Sequence, residues 1–459
     1  MKITNQINDN IFRDYDIRGI YGTDLNDDIA YTIGKTFGTK LRNENKTDTI
    51  IGYDNRSSSL PLFNALAQGI VDTGINVINL GLVTTPMYYY ALTLFGSGSG
   101  IMITASHNPR EYNGFKISFN GIYNAYGSAI QEFKNSMRIP KYVFGKGEIK
   151  YEDIKERYVN YITSSINLTN PKPKVVIDCG NGTGSVIIKD VMQKLNMHYI
   201  PIYCDSNPAF PNHHPDPSIE ANLTDLKKAV LDTKAILGIS IDGDADRLGV
   251  VDENGNMINI DQLMIIFLRD IMPTLKNKNI VYDVKCSKAL EDEIIKLGGN
   301  PICYRTGNSY MRAKLVDDNL SFVGELSGHV FFNDKFDGFD DGIYNALRLV
   351  EILNKTNKKP SELLVGINKY YSTREGKITV TDDNKFKIVD EVISYANNKG
   401  YTSLTIDGIR VKFEDGFALV RASNTGPNIT TRFEATTENR LQEIKTEFET
   451  LLDYIKSKY

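Results

Sequence analysis

A three-part pattern that occurs three times constrains the fold of this chain more than any other feature. Each copy opens with a β-branched run that ends at an acidic residue, Asp54, Asp178 or Asp283. A second apolar run and then a third follow, with helical stretches between them, and the third runs read GIMITAS, AILGISIDGD and SFVGELSG. Strands that alternate with helices predict mostly parallel sheets with helices on both faces.

The domain organisation follows from this pattern and from the length of 459 residues, which is enough for several cores. Beyond about residue 366 the alternation gives way to short strand-like segments and a helical end. We therefore expect three similar mixed, mostly parallel α/β domains and a smaller C-terminal α+β domain with an antiparallel sheet, arranged around a central cleft. Their expected bounds are 1–150, 151–252, 253–365 and 366–459.

Charge and composition exclude several classes of function. Lys plus Arg total 53 against 57 for Asp plus Glu, a net charge of −4 without long runs of either sign, so we expect no nucleic-acid partner. No basic segment followed by an apolar stretch opens the chain, and no apolar window is long enough to span a bilayer, so we expect no membrane partner. The four cysteines show no C-x-x-C pair and are expected to be small buried apolar residues of a reduced, cytoplasmic protein.

Polar loops follow all three of the third strands, and they read TASHNP, DGDADR and GELSGH. Sheets of this kind bind ligands beyond the carboxyl ends of their strands, so functional residues are expected in these loops.

The DGDADR loop gives the strongest local signal. Asp242, Asp244 and Asp246 alternate, so in an extended loop their carboxylates face one way and repel each other by about 4 kcal/mol per pair at ~4 Å. With Arg247 beside them the net charge is −3 + 1 = −2, which a divalent Mg²⁺ or Ca²⁺ would neutralise. An EF-hand is disfavoured because Arg247 replaces the glycine of the sixth position, and a solvated acidic turn is the remaining alternative.

Three more residues stand out near the first of these loops. Ser106 ends a third strand, whereas His107 is not expected to act simply as its base, because adjacent residues of an extended segment point apart. Lys116 is either an edge lysine that reaches solvent or a partly desolvated proton carrier. Arg18 is either a surface ion pair or a phosphate clamp.

Two later segments suit sugar and phosphate recognition. Glu325, Ser327 and His329 occupy alternate positions and either recognise a polyol or form a satisfied loop network. The segment around Gly426 combines a guanidinium, hydroxyls and backbone amides that could bind a phosphate: Arg421, Ser423, Asn424 and Thr425. GNGTGS lacks the third glycine of a dinucleotide fingerprint and is interpreted as a tight turn, and His213 and His214 lack the spacing of zinc ligands.

Taken in order, these segments resemble those of the α-D-phosphohexomutases, in particular the bacterial phosphomannomutase/phosphoglucomutase group. The matching segments extend over essentially the whole chain: FRDYDIRG, TASHNPREYNGFKI, FPNHHPDP, DGDADR, YDVKCS, GELSGHVFF, GFDDGIY and RASNTGP. The resemblance implies a phosphoserine at Ser106, which with Asp242, Asp244 and Asp246 would bind Mg²⁺. It also implies catalytic positions at Arg18, His107, Lys116 and Arg247, with substrate contacts at Tyr15, Lys285, Glu325, Ser327, His329, Arg421, Ser423, Asn424 and Thr425.

The implied activity is the reversible conversion of hexose 1-phosphate and hexose 6-phosphate, of mannose or glucose, with hexose 1,6-bisphosphate as intermediate and activator. Lys116 is the candidate general base. A phosphoglucosamine mutase, a metal-dependent sugar phosphatase and a non-catalytic sugar-phosphate-binding protein are the alternatives. Asn308 stands where the family often carries a histidine, so the resemblance implies no acid/base residue at this position of the chain. A monomer or a dimer is expected.

Overall fold

The computed structural model of the protein describes residues 1–121, 123–138, 141–423 and 426–459. Its strands are β1 (Ile17–Ile20), β2 (Asp48–Tyr53), β3 (Asn76–Leu82), β4 (Gly100–Ile103), β5 (Tyr112–Ser118), β6 (Ile149–Tyr151), β7 (Val175–Asp178), β8 (Tyr199–Ile202), β9 (Leu237–Ile241), β10 (Leu248–Asp252), β11 (Met257–Ile258), β12 (Asn279–Asp283), β13 (Asn300–Tyr304), β14 (Phe322–Gly324), β15 (Val330–Phe332), β16 (Tyr371–Ser372), β17 (Gly376–Thr379), β18 (Ser403–Leu404), β19 (Ile409–Phe413), β20 (Gly416–Ala422) and β21 (Asn428–Ala435).

Helices separate most of these strands. They are α1 (Asp27–Asn43), α2 (Ser59–Val71), α3 (Thr85–Phe95), α4 (Ser128–Arg138), α5 (Lys155–Ser164), α6 (Ile188–Lys194), α7 (Thr224–Thr233), α8 (Ile260–Ile271), α9 (Lys288–Lys296), α10 (Asn308–Asp317), α11 (Gly342–Thr356), α12 (Pro360–Leu363), α13 (Lys385–Asn398) and α14 (Glu438–Lys456).

The predicted repeat is present in the first three sheets. In each, the strand that leads to the acidic residue lies between the two strands that follow it in sequence and pairs in parallel with both: β2 with β3 and β4, β7 with β8 and β9, and β12 with β13 and β14. An antiparallel strand then extends two of the sheets, since β5 pairs with β4 and β10 with β9. The expectation of mixed, mostly parallel sheets is confirmed.

The C-terminal sheet has a different architecture. Its strands run in the order β16, β21, β20, β19 and β18, β17 also pairs with β21, and every recorded pair is antiparallel. Apolar side chains of α13 and α14 cover the sheet, among them Val392 and Phe448 at 0% exposure. The chain therefore has the expected four-domain architecture, three mixed α/β sheets followed by a smaller antiparallel α+β domain.

Contacts along the chain define two compact units. Unit 1 comprises Met1–Asn259 and Ser327–Leu363, and unit 2 comprises Ile260–Leu326 and Leu364–Tyr459. Among the described residues, no helix combines the length and the apolar character needed to cross a bilayer.

The cysteines follow the sequence expectation only in part. All four are free, but only Cys179 and Cys286 are buried, whereas Cys204 and Cys303 are half-buried. Cys179 Sγ and Cys204 Sγ lie 2.9 Å apart, a proximity that their separation of 25 residues did not indicate.

Candidate active site

The three aspartates of the DGDADR loop converge in unit 1. The loop joins β9 to β10, all three carboxylates are 0% exposed, and one oxygen of each lies within 4.8 Å of the others. The loop is a turn with Ala245 at φ 67°, so the convergence does not arise from extended alternation as expected. Gly243 is required in the turn because a Cβ there would lie 2.5 Å from the Ser106 carbonyl oxygen.

Two cations face this cluster, and the sequence account counted only one. Lys116 Nζ lies 3.0 Å from Asp244 Oδ2 and 2.5 Å from Asp246 Oδ2, while Arg247 Nε lies 3.9 Å from both Asp242 Oδ2 and Asp246 Oδ1. The local formal charge is therefore −3 + 2 = −1 instead of −2. Lys116 comes from β5, some 130 residues before Asp246, so sequence proximity could not reveal it.

The cluster perturbs the acidity of its members. Burial, with the charges of Asp246 and Asp244, raises the pKa of Asp242 well above its ordinary value. For Asp244 the effect of burial is outweighed by Lys116 and by a hydrogen bond from Thr85, so that its pKa is lowered. Burial alone would lower the pKa of Lys116, but Asp244 and Asp246 raise it well above the usual value. Lys116 is therefore a charged ammonium here, which donates hydrogen bonds to the carboxylates and holds its proton too tightly to act as a base.

The donor set fits a hard divalent cation. Asp244 Oδ1 and Asp246 Oδ1 are buried and accept no hydrogen bond from any residue that the structure describes. Buried carboxylate oxygens without a partner are costly, and oxygen ligands of this kind suit Mg²⁺ or Ca²⁺. No EF-hand forms, because strands flank the loop and Glu253 binds Ser361 instead of the cluster.

Ser106 lies directly at this cluster. Its Oγ donates a hydrogen bond of 3.0 Å to Asp242 Oδ2, and its backbone adopts a left-handed conformation with φ 51°. The expectation that Ser106 and His107 point apart is wrong, because the segment is not extended: Ser106 Oγ lies 3.1 Å from His107 Nδ1. Burial, together with Arg247 and Arg18, lowers the pKa of His107 well below its ordinary value, so its ring is neutral.

Arg18, on β1, reaches the same loop. Its guanidinium is 8% exposed, donates to Asn108 Oδ1 at 2.7 Å and pairs with Asp16. Arg18 is thus ion-paired but buried, so the alternative of a surface ion pair is wrong. Tyr15 lies near enough to act electrostatically on Arg18 and Arg247.

His329 bridges two charged groups of unit 1. Its Nε2 accepts a hydrogen bond of 2.9 Å from Arg247 Nε, and its Nδ1 lies 2.7 Å from Asp340 Oδ2. Because Nε2 accepts this hydrogen bond, the ring proton lies on Nδ1, which faces Asp340. An imidazole oriented by a carboxylate in this way is suited to act as a base. Residues 325–329 form a turn with Gly328 at φ 106°, so the expectation of one shared face for Glu325, Ser327 and His329 does not hold.

Unit 2 contains a second group of the expected residues. Lys285 Nζ lies 3.2 Å from Glu375 Oε1 and 3.7 Å from Asp283 Oδ2, and Glu325 Oε1 accepts from the backbone N–H of Gly307 at 2.8 Å. Burial alone would lower the pKa of Lys285, but the two carboxylates raise it, so this side chain is a buried cation.

The expected phosphate loop is also in unit 2. Arg421 Nε donates to Asp407 Oδ2 at 3.0 Å, and Ser423 is buried, at 6% exposure. Asn424 and Thr425 lie outside the described residues.

The two sequence motifs set aside earlier have structural roles. GNGTGS leads into a short 3₁₀ turn at Thr183–Val186, as interpreted. His213 Nε2 lies 2.9 Å from Asp178 Oδ2, and despite burial this carboxylate raises the pKa of His213. Asn308 begins α10 and is 8% exposed.

Sequence reasoning missed several residues that support the site. Thr85, at the start of α3, donates to Asp244 Oδ2 at 2.6 Å, and Asp340 contacts His329. Glu375 and Asp407 are the partners of Lys285 and Arg421, and Arg56 binds the backbone of the Ser106 loop. Thr85 lies three residues beyond the end of β3, the second strand of the first repeat. A search of the loops after every strand, and not only after the third strands, would have found it.

Comparisons with known proteins cover most of the chain. Four family models match in order: phosphoglucomutase/phosphomannomutase alpha/beta/alpha domain I at residues 9–138, domain II at 156–255, domain III at 259–370, and the C-terminal domain at 375–451. A phosphomannomutase/phosphoglucomutase of Pseudomonas putida is 40% identical over 444 residues, 97% of this chain and 96% of its own.

Two further matches agree with these. A phosphoglucomutase of Neisseria meningitidis is 40% identical over 447 residues, covering 96% of each chain. The crystal structure of a phosphoglucomutase/phosphomannomutase family protein from Burkholderia thailandensis superposes with a TM-score of 0.91 at 37% identity, over 98% of both chains.

Proposed function

The chain belongs to the phosphoglucomutase/phosphomannomutase family, and we propose from this premise how its residues carry out the reaction. The enzyme is an isomerase that reversibly converts hexose 1-phosphates and hexose 6-phosphates by intramolecular phosphoryl transfer. Mannose and glucose phosphates are the proposed substrates. Its acidic cluster could hold a metal ion, and we propose Mg²⁺.

Ser106 is the proposed carrier of the phosphoryl group. In the first step a bond forms between phosphorus and a sugar hydroxyl oxygen while the bond from phosphorus to Ser106 Oγ breaks, which gives a hexose 1,6-bisphosphate. The sugar hydroxyl gives up its proton, and Ser106 Oγ takes up a proton as it leaves and becomes the serine hydroxyl again. After the intermediate turns over, its other phosphoryl group returns to Ser106. The hydrogen bond from Ser106 Oγ to Asp242 carries this proposal, because it joins the hydroxyl to the carboxylates that fit a divalent cation.

The acidic cluster, with an oxygen of phosphorylated Ser106, would hold Mg²⁺ through Asp242, Asp244 and Asp246. When bound, this ion would neutralise charge on the phosphoryl group. Lys116 and Arg247 add fixed positive charge at the same place, and Arg18 adds a third cation beside the Ser106 loop. Phosphoryl transfer depends mainly on such positioning and charge neutralisation.

The proton of the attacking sugar hydroxyl needs an acceptor. Lys116 was the sequence-based candidate, but its raised pKa favours the protonated form. We therefore propose His329 Nε2, on a ring that lies beside Asp340, as the acceptor; it can take the proton only when the sugar hydroxyl replaces the Arg247 N–H as its hydrogen-bond donor. His107, a neutral ring beside Ser106 Oγ, is proposed to orient the serine.

The sugar and its second phosphate are proposed to bind through the remaining residues. Lys285 and the Arg421 loop with Ser423, Asn424 and Thr425 supply phosphate contacts, and Glu325 and Ser327 contact the sugar hydroxyls. Tyr15 joins Arg18 as a substrate contact. The symmetry of a bisphosphate requires these groups to accept both orientations of the sugar.

The decisive experiment replaces Ser106 with alanine. We expect S106A to convert no mannose 1-phosphate or glucose 1-phosphate to the 6-phosphate, and we expect the wild-type Ser106 peptide to carry about 80 Da of phosphoryl mass. Ser136→Ala, whose hydroxyl donates only to the Phe133 carbonyl, is the matched control and should keep full activity. Near-normal turnover by S106A would overturn the mechanism, and phosphate release at the rate of substrate loss would indicate a phosphatase.

Substrate preference is tested separately. We propose that kcat/KM for mannose 1-phosphate and glucose 1-phosphate, measured with glucose 1,6-bisphosphate present, exceeds that for glucosamine 1-phosphate. The opposite order would make the protein a phosphoglucosamine mutase.

A further inference from the structure

A buried arginine of unit 1, Arg56, lies behind the Ser106 loop and takes no part in the mechanism described so far. It follows β2 in the segment YDNRSS and is 3% exposed. Its Nε donates to Asp54 Oδ2 at 3.1 Å, which fixes the plane of the guanidinium.

The other four N–H groups of Arg56 bind carbonyls of a single loop. One terminal nitrogen donates to Ser106 O at 2.8 Å and Asn108 O at 2.7 Å, and the other donates to Pro109 O at 2.7 Å and Tyr112 O at 3.1 Å. All five guanidinium donors are therefore used, four of them by loop 106–112. An arginine on the surface, or one that only pairs with a carboxylate, would leave several of these N–H groups to solvent.

The backbone held in this way is a strained one. Ser106 has φ 51°, a left-handed conformation that is unfavourable for a residue with a Cβ and persists only where its surroundings enforce it. Arg56 holds the carbonyl of Ser106, and Thr104 holds its amide, since Thr104 Oγ1 accepts a hydrogen bond of 2.8 Å from the Ser106 N–H. In this conformation Ser106 Oγ reaches Asp242 Oδ2.

We propose that Arg56, with Thr104, is a positioning residue that holds Ser106 in its left-handed conformation and so aims Oγ at the acidic cluster for phosphoryl transfer. The inference rests on the proposed function and deepens it. Arg56 contacts Ser106 only at its backbone carbonyl, and among the described residues its hydrogen bonds include none to the three aspartates or to a proposed substrate contact.

The test follows phosphorylation of dephosphorylated enzyme by glucose 1,6-bisphosphate in a single turnover, read as added mass on Ser106. Arg56→Lys keeps a positive charge but offers a point donor in place of a planar fork. Because a misplacement of ~1 Å costs about 100-fold in rate, we expect the phosphorylation rate and kcat of R56K to fall by roughly that factor. KM for glucose 1-phosphate should stay within about threefold, since substrate binding is not altered.

Arg348→Lys is the matched control. Arg348 is a buried arginine of the same unit, 2% exposed, and binds Asp334 at 2.7 Å and 2.8 Å, away from the proposed site. R348K should lower the melting temperature as R56K does but phosphorylate Ser106 at nearly the wild-type rate. A wild-type rate in R56K, or an equal slowing in R348K, would overturn the inference.

If R56K does not fold, a milder variant tests the same proposal. Thr104→Val removes only the hydroxyl that accepts from the Ser106 N–H, so slower phosphorylation is expected and an unchanged rate would overturn the proposal. Wild-type protein that gains no mass on Ser106 would refute the proposed function together with this inference. Wild-type protein that gains the mass, beside an equally fast R56K, refutes the inference alone.

Discussion

Lys116 illustrates how the environment of a single side chain decides its chemistry. The sequence GFKISF left open whether this lysine reaches solvent or carries a proton. In the structure its ammonium is held between Asp244 and Asp246 and is buried, which excludes the solvent-exposed alternative. A cation fixed at a cluster of carboxylates competes electrostatically with any metal ion that binds there.

This competition predicts an unusual result for Lys116→Gln. Removal of the ammonium leaves the carboxylates with one fewer positive neighbour, so Mg²⁺ should bind at least ~10-fold more tightly, given interactions of about 4 kcal/mol between unit charges at this range. kcat should nevertheless fall by roughly 100-fold or more, because charge that neutralises the phosphoryl group is lost. Titration calorimetry with Mg²⁺ and steady-state kinetics measure the two effects.

Lys35→Gln is the control for this prediction. Lys35 is also a buried lysine, but it donates to the backbone carbonyls of Asp72 and Val143 and contacts no member of the acidic cluster. Its Mg²⁺ affinity should match that of the wild type. Unchanged or weaker Mg²⁺ binding by K116Q would contradict the electrostatic account.

At the scale of elements, the hydrophobic periodicity of the sequence predicted the strands but did not predict the backbone conformation of the turns. The β-branched runs form β2, β7 and β12, each an interior strand of its sheet, because a hydrophobic pattern reports burial. The assumption of alternating side chains gave the wrong contacts where the chain forms a turn. Ser106 has positive φ and its Oγ lies beside His107, and Ala245 has positive φ in the turn where the three aspartates converge. Positive φ in a residue other than glycine leaves no pattern in a single sequence.

Helix α11 carries a titratable cap that yields a second prediction. Asp341 accepts hydrogen bonds of 2.9 Å from the N–H groups of Ile343 and Tyr344 and another from Tyr158 Oη. Burial raises the pKa of Asp341 to about 7. Since the unfolded value is about 3.9, the folded state binds the proton more tightly, and the associated stability is present below about pH 4 and lost as the pH rises towards 7.

Asp341→Asn should therefore abolish part of the pH dependence of stability. Asparagine still caps the helix but has no charge to bury, so its melting temperature relative to the wild type should rise between pH 5 and pH 8. Asp334→Asn should show no such rise over this range: despite burial, Arg348 lowers the pKa of Asp334, so the stability that this carboxylate contributes is constant from pH 5 to pH 8 and is lost only below about pH 4. Parallel pH profiles for D341N and wild type would contradict the prediction.

At the scale of the whole molecule, the candidate residues divide between two compact units. Unit 1 contains Ser106, the acidic cluster and His329, and unit 2 contains Lys285, Glu325 and Arg421. Contacts such as Lys116 to Asp246 join residues 130 positions apart, and only the folded sheets bring them together. For this reason the sequence identified the residues by their loops but not their partners.

The division predicts a unit-specific response to the metal ion. Mg²⁺ alone should slow amide hydrogen exchange in peptides that contain Ser106 or residues 242–247, because the ion would bind their side chains. Peptides around Lys285 and Arg421 should exchange at an unchanged rate. Asp244→Asn should lose the protection, whereas equal protection of both sets of peptides in the wild type would count against a metal site confined to unit 1.

The interleaved order of the segments has a consequence for synthesis. The stretch Ser327–Leu363 completes unit 1, yet it emerges from the ribosome only after Ile260–Leu326, which belongs to unit 2. Domains usually fold as they are translated, N-terminal first. Here unit 1 cannot be completed before Leu363 has been synthesised, and a chain that ended at Asn259 would contain neither unit whole.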